Sequence, residues 1–144
     1  MGDKVLVVDN QQEVLDLLSY FLRDEGYEVI TARNGAKAIQ LAKSENPDVI
    51  LLDLRMPGLD GIQTCKWLKT MGKTRFIPII MITAFADSKL DAIEAGVDDF
   101  VNKPIDLVEL SARVRSILRP RYLTDELQRN TAQKEEFEKS LPKS

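Results

Sequence analysis

Short apolar runs alternate with amphipathic segments along the first 119 residues. Val5 to Val8, Val29 to Thr31, Val49 to Leu52 and Ile77 to Ile82 are β-branched or aliphatic, and Phe100-Val101 is a weaker fifth run. Runs this short that are apolar on both faces predict strands of a parallel sheet covered on both sides. Between them the spacing turns helical. Val14, Leu15, Leu17, Leu18, Phe21 and Leu22 mark one helix face, and Ala36, Ala38, Ile39, Leu41 and Ala42 a second. Ile62, Cys65, Trp67 and Leu68 predict a third helix, Leu90, Ile93 and Ala95 a short fourth, and Leu107, Leu110, Val114, Ile117 and Leu118 a fifth. Five strand-helix units with right-handed crossovers predict an α/β fold. The expected form is a (βα)5 doubly wound five-stranded parallel sheet in a three-layer, flavodoxin-like sandwich.

The pattern changes after Pro120. Residues 121–144 carry five basic and five acidic side chains and few apolar ones. The expected division is therefore a domain over 1–119 and a helical linker or tail over 120–144. Leu123, Leu127, Asn130, Lys134, Phe137 and Leu141 fall on one stripe at 4-3-4-3-4 spacing, compatible with a solvated helix or with a parallel coiled coil that Pro142 would end.

Composition narrows the chemistry. With 44% hydrophobic and 30% charged residues the chain is an ordinary globule rather than a disordered or collagenous one. A net charge of −3 argues against nucleic-acid binding by this chain alone. One cysteine, Cys65, excludes an internal disulfide, and on an apolar helix face it is expected to be buried and inert. The absence of histidine excludes Ser-His-Asp and Cys-His nucleophiles and His-ligated zinc or iron. No apolar stretch approaches the ~18–20 residues that span a bilayer, and a cytoplasmic protein is expected.

Polar residues recur at the carboxyl ends of the expected strands: Asp9-Asn10 after the first, Asp53 after the third, Thr83 after the fourth and Lys103 after the fifth. In a doubly wound sheet these ends converge on the ligand-binding edge. Two carboxylates with only oxygen donors nearby select a hard cation, Mg²⁺ or Mn²⁺, and the lysine supplies charge for an anion. A carboxylate nucleophile, a metal, a lysine and a hydroxyl together suit in-line phosphoryl transfer onto an aspartate.

Four segments carry a resemblance: Lys4 to Asn10, Asp48 to Gly61 with Asp53 and Pro57, Pro78 to Ala84 with Thr83, and Ala95 to Pro104 with Lys103. Over residues 4 to about 119 the chain resembles the receiver domains of two-component response regulators. The resemblance implies that Asp53 accepts a phosphoryl group from a histidine kinase or phosphotransfer protein, which supplies the histidine absent here. It implies that Asp9, Asn10, Asp53 and the backbone carbonyl of Arg55 hold Mg²⁺, that Lys103 pairs with the phosphoryl oxygens, and that Thr83 hydrogen-bonds them. Phe100 would be the aromatic switch, helix 4, strand 5 and helix 5 the readout face, and Lys103-Pro104 a cis bond. A homodimer and a DNA-binding or cyclic-dinucleotide-synthesising output domain are the further implied partners. Such a domain takes part in its own phosphorylation and is not a turnover enzyme.

The chain departs from that pattern at Asn10, where a second acid is usual, and this favours a weakened metal site or a pseudo-receiver that is never phosphorylated. The stretch from Thr83 to Phe100 is also short, predicting a short or partly unwound helix 4. Bulky Arg55 and Phe85 predict a long-lived phosphoaspartate. An aspartyl-phosphate hydrolase would carry a second acid two residues after the nucleophile, and Arg55 stands there instead. Gly72-Lys73-Thr74 imitates the end of a phosphate-binding loop, but its earlier glycine is replaced by Trp67. Asn34-Gly35 reads as a helix cap.

Overall fold

The computed structural model describes residues 2–56, 58–84 and 89–119. Five strands, β1 (Lys4–Val8), β2 (Glu28–Ala32), β3 (Val49–Asp53), β4 (Ile79–Thr83) and β5 (Asp99–Asn102), form one parallel sheet in the order β2-β1-β3-β4-β5. The helices are α1 (Gln12–Asp24), α2 (Gly35–Glu45), α3 (Gly61–Thr70), α4 (Lys89–Ala95) and α5 over 107–119, with a 3-10 turn at Lys73–Phe76. The expected (βα)5 flavodoxin-like fold is the fold observed. The tail over 120–144, with its stripe from Leu123 to Leu141, lies outside the described residues, as does Phe85.

Two cores explain why the strands are apolar on both faces. Leu6, Val8, Ile50, Leu52, Ile79 and Met81 pack on one side with Ala38 and Ala42 of α2, Cys65 and Leu68 of α3, and Ala92 and Ala95 of α4. Val5, Val7, Val49, Leu51, Ile80 and Ile82 pack on the other with Leu15, Leu18 and Leu22 of α1 and Leu110, Val114 and Leu118 of α5. Alternate strand residues thus feed opposite layers.

Local chemistry sets the helix ends. Asn34 caps α2, its side chain accepting from the Lys37 N–H, as the sequence predicts. Asp60 and Gln63 close a capping box on α3, and Asp106 accepts from the Val108 and Glu109 N–H groups at the start of α5. Gly61 opens α3 hard against the end of β3: a Cβ there would collide with the Asp53 carbonyl and Leu54 Cα. Gly72-Lys73-Thr74 enters the 3-10 turn, where the Thr74 hydroxyl bonds to the Leu68 carbonyl at 2.8 Å, and forms no phosphate loop.

Several sequence expectations need correction. β4 begins at Ile79, not Ile77, because Ile77 ends the 3-10 turn and Pro78 has no N–H to give a ladder. Leu17 and Trp67 do not belong to buried faces and stand more than half exposed. On α4 the expected face holds only at Ala95, which is buried together with Ala92, while Leu90 and Ile93 are exposed.

Candidate functional site

The carboxyl edge of the sheet gathers the candidate residues. Asp53 is the last residue of β3 and Thr83 the last of β4, each 2–3% exposed, and Asp9 follows β1 directly at 1%. Residue 103 follows β5, where the Lys103 N–H donates to the Thr83 carbonyl at 3.0 Å, so the turn after β5 is tied to the end of β4. The Lys103-Pro104 bond is cis, as the resemblance implies.

That turn delivers the lysine past β4 to the end of β3. Lys103 Nζ lies 2.8 Å from Asp53 Oδ1, a charge-assisted bond to a carboxylate whose side chain is 4% exposed. Asp9 is placed by the strand-1 turn: its N–H donates to the Ala32 carbonyl, and its Oδ1 accepts from the Gln11 N–H at 2.8 Å. Asp9 Oδ2 is different. It is buried and has no hydrogen-bond partner among the described residues. Burial holds the Asp9 carboxyl above the usual range, the Gln11 N–H opposes this, the negative charge of Asp53 adds to it, and Lys103 opposes it.

The remaining candidates lie on the segments next to these residues in sequence or on β5. Asn10 is half-buried beside Asp9, and its carbonyl accepts from the Arg33 guanidinium at 3.3 Å. Arg55 follows Asp53 by two residues and is exposed. Phe100 is half-buried within β5, packed against the α2–α3–α4 core and paired in register with Met81. Asp99 next to it is gripped by Arg113 of α5 at 3.0 and 3.1 Å, which fastens β5 to that helix. Cys65 is fully buried, as expected, with its thiol pushed up to about 11 chiefly by burial.

The donor set fits a hard cation. An orphaned buried carboxylate oxygen beside a second carboxylate calls for positive charge beyond that of Lys103, and the candidate ligands Asp9, Asn10 and Asp53 all offer oxygen. No group of three or more Asp, Glu, Cys or His suited to a metal occurs among the described residues, in keeping with an asparagine at position 10. Sequence reasoning missed Gln11, Gly61 and Arg33. Gln11 and Arg33 act through or upon backbone atoms, which a residue-type search does not see. Gly61 was open to discovery as a glycine directly after the Asp60 cap.

The fold that carries this edge is that of an α/β signalling module of the phosphoryl-accepting class. The chain belongs to the response regulator receiver domain family, whose model matches residues 5–115, and receiver domains are signalling modules of two-component systems. It is 43% identical over 134 residues to response regulator PleD of Caulobacter vibrioides (strain NA1000 / CB15N), covering 92% of this chain and 30% of PleD. It is 45% identical over 122 residues to the alkaline phosphatase synthesis transcriptional regulatory protein PhoP of Bacillus subtilis (strain 168), covering 83% of this chain and 50% of PhoP. The chain therefore spans half or less of these relatives. A response regulator structure from Chloroflexus aurantiacus superposes with a TM-score of 0.79 at 35% identity, covering 83% of this chain and 99% of that one. The receiver domain of the sensor histidine kinase PA1611 from Pseudomonas aeruginosa, which has a magnesium ion coordinated in its active-site cleft, gives 0.77 at 28% identity, covering 82% and 98%. No helix among the described residues is long and apolar enough to cross a membrane.

Proposed function

We propose that Asp53 is the phosphoacceptor, taking its phosphoryl group from a phosphohistidine on a histidine kinase or phosphotransfer protein. The observation that carries this reading is the buried Asp53 carboxylate held by Lys103 at 2.8 Å beside the unpartnered oxygen of Asp9. An Asp53 oxygen attacks phosphorus, the new O–P bond forms as the P–N bond breaks, and the electron pair leaves with the imidazole, which takes a proton from solvent.

Asp9, Asp53, the backbone carbonyl of Arg55 and the side-chain oxygen of Asn10 would hold Mg²⁺, or Mn²⁺ in its place. When bound, the ion neutralises the charge on the phosphoryl oxygens. Lys103 passes from Asp53 Oδ1 to a phosphoryl oxygen and stays at the site throughout. The Thr83 hydroxyl donates to another phosphoryl oxygen, and that movement opens space into which Phe100 turns. The altered surface is then α4, β5 and α5, where exposed Leu90, Ile93 and Val108 suit a homodimer or an output domain.

In this reading residues 1–119 are the receiver, residues 120–144 a helical linker or tail towards the output, and the protein is cytoplasmic. Bulky Arg55 and Phe85 slow hydrolysis of the phosphoaspartate. The test is incubation with acetyl phosphate and Mg²⁺ followed by intact-mass spectrometry: one phosphoryl mass is expected on the wild type and none on Asp53→Asn. Labelling of Asp53→Asn would remove Asp53 from the role. Asn10 favours a second reading, a pseudo-receiver that binds partners without phosphorylation, and absence of label on the wild type would select it.

A further inference from the structure

The surface where α3 meets the 3-10 turn carries chemistry that the phosphoryl site does not use. From Gly61 to Pro78 the chain has four basic side chains, Lys66, Lys69, Lys73 and Arg75, and no acidic one, within a protein of net charge −3. Lys69 is engaged by Asp98 and by the Ile77 carbonyl, each at 2.9 Å. The ion pairs among the described residues leave out the other three and neighbouring Lys43 of α2.

Two aromatics accompany these cations. Trp67 is 54% exposed on the outer side of α3, whose inner side is Thr64, Cys65 and Leu68, and Phe76 is 75% exposed with the Arg75 guanidinium 4.7 Å above its ring. Exposed tryptophan beside unpaired cations is the composition of a binding surface rather than of a solvated face. The support is firm, because the Thr74 hydroxyl bonds to both the Leu68 and Met71 carbonyls and pins the turn onto the helix end. Lys43, Met71, Gly72, Lys73 and Thr74 line a cavity of about 250 Å³ at this junction.

We infer that this face docks an acidic segment of a partner protein, its carboxylates meeting Lys43, Lys66, Lys73 and Arg75 while an aromatic or aliphatic side chain lies against Trp67. Charge complementarity selects a short peptide over a nucleic-acid strand: the cations are few, and a strand longer than the patch would run into the field of a net acidic protein. The 3-10 turn leads into the amino end of β4, the opposite edge from Asp53, so the surface is independent of the phosphorylation reading.

Trp67 is the only tryptophan, so its emission reports this surface alone. The probe is a fluorescein-labelled synthetic peptide of Asp and Glu carrying one Phe and one Leu, titrated into the full chain without phosphodonor. Saturable anisotropy with a change in Trp67 emission is expected, weakened by salt. Binding should fall about tenfold in Trp67→Ala and in the Lys66→Glu/Lys73→Glu double variant, as for an interface anchor. It should not change in Arg119→Glu, on the α5 layer. Thermal melts check each variant, and a misfolded Trp67→Ala leaves the double variant and wild-type emission to decide. No saturable binding below millimolar peptide, or equal loss in Arg119→Glu, overturns the inference. Tighter binding of labelled oligothymidylate at Trp67 overturns it in favour of a nucleic-acid surface.

Discussion

The two edges of the sheet treat their charged groups in opposite ways. At the amino edge carboxylates close local bonds: Asp48 Oδ2 accepts from the Lys4 N–H at 2.7 Å, and Asp98 Oδ2 accepts from both the Ile79 N–H and Lys69 Nζ. The Lys4 ammonium is likewise held by the carbonyl and carboxylate of Glu45. At the carboxyl edge Asp53 is held by Lys103, but Asp9 Oδ2 is buried with no partner among the described residues, and Asp9 is further opposed by the like charge of Asp53. The same residue type therefore serves two purposes. Closed carboxylates fasten strands, whereas an open one costs folding energy and is kept where a ligand can complete it.

The sharpest way to break that contrast is to open the closed edge. Asp98→Ala removes the acceptor of the Ile79 N–H and the partner of Lys69. It is expected to cost about 3 kcal/mol, most of it from the backbone donor and little from the half-exposed ion pair. Thermal unfolding should fall by roughly 10 °C with phosphoryl labelling of Asp53 retained. A melt within a degree of wild type would show that the amino-edge bonds are not structural.

Next in size is Asn10→Asp, which adds a charge to the open edge. A unit pair at 4 Å with an effective dielectric near 20 is worth about 4 kcal/mol, and desolvation offsets much of it. About 2 kcal/mol remains, or roughly thirtyfold tighter Mg²⁺ binding, which calorimetric titration measures directly. Unchanged affinity would mean that the side chain at position 10 does not face the ion.

Most of the fold was readable because strands buried on two faces leave long aliphatic runs, and because the polar ends of those runs mark the ligand edge. That Asp9, Asp53, Thr83 and Lys103 lie together at that edge was readable from their positions alone. What failed is equally physical. On α4, Leu90 and Ile93 imitate a buried stripe with Ala95, yet of the three only Ala95 is buried and Ala92 takes the place beside it, whereas hydrophobic ranking puts leucine ahead of alanine. Trp67 fails the same way, as a large apolar residue kept on the surface. The unpartnered oxygen of Asp9 and the Arg33 bond to the Asn10 carbonyl depend on how separate loops meet, which periodicity along one segment does not encode.

The smallest expected effect tests the open edge from the other direction. Asp9→Asn keeps an oxygen for the Gln11 N–H and removes the buried charge that faces Asp53, so the metal-free variant is expected to be more stable than wild type at pH 7 by about 1 kcal/mol. That is roughly 3–6 °C in a melt at this size. The pH dependence has a fixed sign. The Asp9 carboxyl titrates above its usual range in the folded protein, so the folded state binds the proton more tightly than the unfolded chain, and wild-type stability falls as pH rises through the raised value. The advantage of Asp9→Asn should therefore be full at pH 7 and shrink as the buffer is taken down into the carboxylate range, where wild-type Asp9 is itself neutral. Added Mg²⁺ should reverse the order at pH 7, stabilising wild type by mass action and the variant much less. A variant that melts below wild type without metal would show that the ionised Asp9 carboxylate holds the strand-1 turn together, and that the carboxyl edge is closed in the same sense as the amino edge.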